Sequence, residues 1–76
     1  MPSYILYGSD GCHLCELAQD ICAKLITPEQ LQLIDIVDDE KLVAAFGVHI
    51  PVLENITSNA KLFWPFDQQQ LAEFIS

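Results

Sequence analysis

The segment Gly8-Ser9-Asp10-Gly11-Cys12-His13-Leu14-Cys15-Glu16 joins an apolar run to an amphipathic one and carries two cysteines three residues apart. Upstream, Ser3–Tyr7 (Ser-Tyr-Ile-Leu-Tyr) is apolar and strand-like, and Gly8 through Gly11 reads as a loop. Downstream, Leu14, Leu17, Ala18, Ile21, Cys22 and Leu25 recur at the i, i+3, i+4, i+7 spacing of an amphipathic helix. That helix ends before Thr27-Pro28, because proline biases the preceding residue away from helical geometry. The Cys-x-x-Cys pair therefore follows a strand and a glycine-containing loop, and it opens a helix. This is the context that redox chemistry requires of such a pair. Two cysteines in a first helical turn bring their sulfurs within bonding distance. Unpaired N–H groups and the positive dipole end favour the Cys12 thiolate, the form that attacks a disulfide. Cys15, deeper in the helix, then resolves the mixed disulfide. Asp10 and Glu16 oppose the thiolate by charge. His13 favours it if cationic and close to Cys12, and otherwise sits in solvent.

Cys22 lies seven residues past Cys15 on the same helix, ~10.5 Å along the axis. A disulfide needs Cα atoms within ~7 Å, so Cys15 and Cys22 cannot pair while the helix is intact. Cys22 belongs to the apolar stripe and reads as a small buried hydrophobe. The same distance argues against one metal held by all three cysteines. A half-site of Cys12 and Cys15 with His13 or His49 stays open, although the four ligands usual for structural zinc are missing. The expectation is that no metal or other cofactor is bound.

Leu31–Val37 is apolar on both faces, as suits a parallel strand covered on two sides. Asp38 is placed to N-cap a short helix carrying Leu42, Val43 and Phe46, closed by Gly47. Pro51–Glu54 and Lys61–Trp64 read as strands joined by the polar turn Asn55–Asn59. Asp67 and Gln70 form a capping-box pattern that starts a last helix, which buries Leu71, Phe74 and Ile75. The order is β-α-β-α-β-β-α: an α/β fold with a parallel first crossover, an antiparallel closing hairpin and a four-stranded mixed sheet flanked by helices. With 76 residues, the chain is expected to form a single domain over residues 1–76. Its hydrophobic content of 51% supports a packed core over disorder.

Three lysines and no arginine face eleven acidic residues, for a net charge of −8. Such a surface repels phosphate, so neither nucleic acid nor an anionic membrane is an expected partner. No apolar run approaches the ~20 residues of a membrane span. Met-Pro-Ser-Tyr lacks a basic leader region and a cleavage pattern, so a cytoplasmic location is expected. There, close cysteine pairs serve redox or metal chemistry more often than structure. A small acidic domain is expected to be a monomer.

A second signature is Phe46-Gly47-Val48-His49-Ile50-Pro51-Val52-Leu53. Proline at a strand start is unusual unless its missing N–H is useful. From the residues alone a trans bond is the default, since X–Pro bonds are cis only ~5–6% of the time in folded proteins.

Cys12 and Cys15, Tyr7 five residues before Cys12, and the run from Asp38-Asp39-Glu40-Lys41-Leu42 through Phe46-Gly47 to Ile50-Pro51-Val52 together resemble glutaredoxins. The resemblance is to the short bacterial glutaredoxin-like proteins of the thioredoxin fold, over nearly the whole chain. It implies that Pro51 is cis and packs beside the cysteines, and that the backbone of Ile50 pairs with substrate like an added strand. It implies catalytic Cys12 and Cys15, with substrate met by Tyr7, His13, Leu14, Ile50, Pro51 and Asp67. The implied activity is thiol–disulfide exchange on protein or small-molecule disulfides. The alternative is an adaptor of the same fold with little or no redox turnover.

The chain also departs from the family's pattern. Ser9 stands where a lysine is common. His13-Leu14 replaces the usual Pro-Tyr between the cysteines. Trp64-Pro65-Phe66 replaces a Gly-Gly turn before the last helix. With the net charge of −8, these departures predict poor use of anionic glutathione. Trp64 and Phe66 form either an apolar wall for a protein substrate or ordinary packing under the last helix.

Overall fold

The computed structural model of the chain describes residues 2–76. Its elements are β1 (Tyr4–Gly8), α1 (His13–Leu25), a 3-10 turn (Pro28–Gln30), β2 (Leu31–Asp35), α2 (Glu40–Phe46), β3 (Val52–Asn55), β4 (Lys61–Phe63) and α3 (Gln68–Ile75). The strands form one sheet in the order β2-β1-β3-β4. β2 runs parallel to β1, and the other neighbours are antiparallel, with Tyr7 opposite Val52 and Leu53 opposite Leu62. This is the mixed sheet expected from the element order, in the thioredoxin-like arrangement that the resemblance to glutaredoxins implies.

Alternation along β1 divides the core. Leu6 turns to one face and packs with Ala18 and Cys22 of α1, Leu53 of β3 and Leu71 of α3. Tyr7 turns to the other face and packs with Ile36, Phe46 of α2 and Val52. Leu53 and Leu71 have no exposed surface, and burying each stabilises the fold by ~1.5–3 kcal/mol.

Local chemistry sets the element ends. Ile26 N–H bonds the Cys22 carbonyl, and the chain leaves α1 just before Thr27-Pro28. Gly47 follows α2 with an ordinary right-handed φ of −53°. Its need for glycine is steric: an added Cβ would lie 2.5 Å from the Val43 carbonyl oxygen. Asn55 Oδ1 accepts from the N–H groups of Thr57 and Ser58, which shapes the turn into β4. The capping box of α3 is complete, with Gln70 N–H donating to Asp67 Oδ1 and Asp67 N–H to Gln70 Oε1.

Several expectations are corrected. β2 is parallel as expected, yet it lies at the sheet edge, and Leu33 is 52% exposed rather than covered on both sides. α1 packs over β1 and against α3, so it overhangs β2 only in part. β2 also stops at Asp35, and Val37 falls outside it. The N-cap of α2 is Asp39, not Asp38; its Oδ1 accepts from Lys41 N–H and Leu42 N–H, which lie two and three residues on. Leu14 and Leu17, the first members of the α1 stripe, stay exposed, and the buried part of the stripe is Ala18 and Cys22. Phe66 is 4% exposed and packs in the core, so it forms no wall toward solvent. Trp64 meets its ring edge-on at 5.1 Å. Trp64–Pro65 is a cis bond that the sequence did not signal.

Candidate functional site

Gly11, at φ +78°, takes the left-handed turn that brings the chain from β1 into α1. Cys12 N–H then donates to the Ser9 carbonyl at 3.3 Å. Cys12 is the N-cap residue of α1, in extended geometry, and its Sγ accepts the Cys15 N–H at 3.1 Å. A sulfur thus occupies the position where serine or aspartate normally satisfies a free helical N–H. Cys12 and Cys15 are disulfide-bonded, with Cα atoms 5.2 Å apart, inside the ~4.4–6.8 Å range of such bonds. Both are partly buried.

The cradle for this pair is Gly8. A Cβ at Gly8 would meet Cys15 Sγ at 3.1 Å and Cys15 Cβ at 3.2 Å. The missing side chain lets α1 settle against the end of β1. Asp35 braces the same corner: its Oδ2 accepts from Asp10 N–H at 3.2 Å and its Oδ1 from Val37 N–H at 2.9 Å. Ile36 N–H donates to the Gly8 carbonyl at 2.9 Å. Gly8 and Asp35 were missed as site residues in the sequence. The signal for Gly8 in the sequence is a glycine four residues before Cys12, which the structure places at the end of β1 and not in the loop expected from Gly8 to Gly11.

The other expected site residues occupy distinct places. His13 is exposed, and its Nδ1 lies 3.7 Å from Glu16 Oε2 in a pair that is ionic only when the imidazole is protonated. Leu14 is exposed between the cysteines. The Ile50–Pro51 bond is cis. Pro51 is fully buried, and its carbonyl accepts from Trp64 N–H at 3.2 Å. Because Tyr7 pairs with Val52, the next step of the ladder sets Pro51 beside Gly8, at the cysteine end of the sheet. Ile50 N–H bonds the Phe46 carbonyl at 3.0 Å, and the Ile50 side chain packs against the Tyr7 cluster.

Tyr7 faces away from α1. Its ring stacks on Phe46 at 4.7 Å, and its hydroxyl donates to Glu54 Oε1 at 2.7 Å. Burial pushes that hydroxyl up to about 12, and the Glu54 carboxylate adds to the rise. Asp67 is exposed at the start of α3, with its carboxylate engaged by Gln70 N–H. Cys22 is fully buried, and burial pushes its thiol up to about 11. The structure therefore gathers Cys12, Cys15 and Gly8 with Pro51 at one end of the sheet. It keeps Tyr7 in the opposite-face core and Asp67 in a helix cap.

The pattern of the Glutaredoxin-like domain (DUF836) matches residues 3–76. This chain belongs to the glutaredoxin-like domain family. The crystal structure of target protein XcR50 from X. campestris is similar to this glutaredoxin-like domain at a TM-score of 0.86 and 33% identity, over 95% of this chain and 93% of that one. The solution structure of protein Ne2328 from Nitrosomonas europaea is similar at a TM-score of 0.77 and 25% identity, over 100% of this chain and 94% of that one. No curated protein matches the chain. The glutaredoxin-like domain and its bonded Cys12–Cys15 pair fit a redox function.

Proposed function

We propose that this glutaredoxin-like domain is a thiol–disulfide oxidoreductase that exchanges its Cys12–Cys15 dithiol with protein or small-molecule disulfides. The observation that carries this reading is the bonded pair at the start of α1, with Cys12 as N-cap and Cys15 one turn in, against Gly8. In the reduced protein, the Cys12 thiolate attacks one sulfur of a substrate disulfide and expels the other as a thiolate, which takes up a proton. Cys15, deprotonated in turn, attacks Cys12 Sγ. The second substrate thiolate leaves and the intramolecular disulfide forms, so two electrons pass to the substrate. A dithiol or thiol reductant returns them. The helix N-terminus favours the Cys12 thiolate that begins the exchange, by ~0.3–1 kcal/mol. With Ile50 N–H bonded to the Phe46 carbonyl and the Pro51 carbonyl to Trp64 N–H, the Ile50 carbonyl is the backbone acceptor that the cis Ile50–Pro51 turn offers an extended substrate.

The family's departures at Ser9 and Trp64-Pro65-Phe66, together with the net charge of −8, support slow turnover with anionic glutathione. A reducing cytoplasm suits such chemistry. The test is a redox titration followed by trapping. Cys15→Ser should accumulate a mixed disulfide on Cys12, and Cys12→Ser should lose exchange altogether. A Cys12–Cys15 pair that never cycles reversibly, or a Cys12→Ser variant with unchanged turnover, overturns the proposal.

A further inference from the structure

Beside Cys15, on the side away from the Pro51 loop, a groove of about 380 Å³ opens between α1 and the outer strand β2. Gly8, Ser9, Asp10 and Cys15 form its head and Leu33 its floor. It meets a second hollow of about 180 Å³ that shares Gln19 and Leu33 and runs on past Ala23 to Pro28. We propose that this groove docks an extended, basic-apolar segment of the protein whose disulfide is exchanged. The proposal rests on the exchange reading above and names the substrate class that the site prefers.

Three observations carry it. First, β2 is an outer strand, so among the described residues one side of its backbone has no strand partner. Ile36 N–H bonds the Gly8 carbonyl of β1. By alternation, the backbone groups of Leu33 and Asp35 point away from β1 and are free to pair with an added strand. Second, the added strand's alternate side chains would fall on the α1 face, where Leu33 is 52% exposed and Ala23 and Ile26 continue the apolar wall. Third, the charge has one sign. Asp10 and Asp35 rim the head of the groove, and none of the three lysines, Lys24, Lys41 and Lys61, lines either hollow. An apolar residue flanked by lysine or arginine matches this surface, and an acidic segment is repelled by it. The groove ends on a redox sulfur, so a segment seated along β2 is held next to the cysteine pair while its disulfide reacts.

The experiment is a titration of the oxidised protein with a cysteine-free peptide of alternating leucine and lysine, read by amide chemical shifts. A second peptide carries glutamate in place of lysine. The expected result is shifts at Ser9, Gln19, Leu33 and Asp35 with the lysine peptide, weakened by added salt and absent with the glutamate peptide. Leu33→Ser and Asp10→Asn, both at exposed positions, should each weaken binding severalfold to about tenfold. Equal binding of both peptides, shifts confined to the opposite sheet edge at β4, or no shifts overturns the proposal. Because the peptide has no sulfur to exchange, the result is independent of turnover. Binding at Leu33 without thiol cycling would refute the exchange reading and leave the groove assigned. Cycling without binding would refute the groove alone.

Discussion

Tyr7→Phe removes one oxygen atom from the interior and separates two roles for this residue, support of the sheet and contact with substrate. The hydroxyl donates to Glu54 Oε1 at 2.7 Å, and Tyr7 is 7% exposed. The Glu54 side chain is itself only 15% exposed, with Lys61 Nζ 3.9 Å from its other oxygen. A hydrogen bond to a charged group contributes ~1.5–3 kcal/mol. Lys61 stays in place as partial compensation, so a loss in the lower part of that range, ~1.5–2 kcal/mol, is expected. In a domain of this size ~1 kcal/mol moves the melting temperature by ~4–8 °C, so the midpoint should fall by roughly 6–16 °C. The ring keeps its stacking on Phe46, and no cavity forms. Burial holds the Tyr7 hydroxyl at about 12 in the fold against ~10 in the unfolded chain. The folded state therefore binds this proton more tightly. That contribution is complete below pH ~10 and is lost as pH rises through about 12. Urea unfolding of wild type and Tyr7→Phe, near neutrality and across that alkaline window, measures both effects. A loss under ~0.5 kcal/mol, or the same alkaline decline in both proteins, would refute the reasoning. An unchanged stability with a raised KM for disulfides would instead assign Tyr7 to substrate contact.

Further outcomes are expected elsewhere in the chain. Asp39→Ala removes the acceptor for Lys41 N–H and Leu42 N–H and should cost ~0.5–2 kcal/mol in denaturant titration, leaving thiol reactivity unchanged. Leu53→Ala opens a cavity at a fully buried position of the central strand β3 and should cost ~2–5 kcal/mol by the same measurement. Alkylation of the reduced native protein should label Cys12 and Cys15 but leave Cys22 unlabelled until denaturant is added, because Cys22 is fully buried and its thiol is pushed up to about 11. Mass spectrometry of the adducts reads this directly, and rapid labelling of native Cys22 would contradict its placement.

The cysteine pair, its strand-loop-helix setting and the capping box of α3 were legible in the sequence because each depends on neighbours within a few residues. Cys22 as core follows from spacing along α1, and the Asp67–Gln70 exchange from spacing at the start of α3. Cys12, expected inside the first turn of α1, stands just before it as the N-cap. Gly8 was legible only as a loop signal. Its role depends on Cys15 Sγ coming to within 3.1 Å of where a Cβ would stand, which requires the packing of α1 on β1. Tyr7 was matched to the site by its distance in sequence from Cys12. Pleating turned its side chain to the far face, toward Phe46 and Glu54.

The same division holds for the fold. Periodicity and turn chemistry in the sequence alone determined the order β-α-β-α-β-β-α, the parallel first pair and the helix that begins at the cysteines. Strand order was a tertiary decision. Leu31–Val37 carries the apolar pattern of a central strand, yet β2 lies at the edge, because hydrophobicity specifies that a residue prefers cover and not which element supplies it. With α1 committed to β1 and α3, Leu33 is left half open beside Cys15, and a groove results that no local pattern encodes. The bonded pair was written in the spacing of Cys12 and Cys15. What can reach it was decided by how far one helix extends across one sheet.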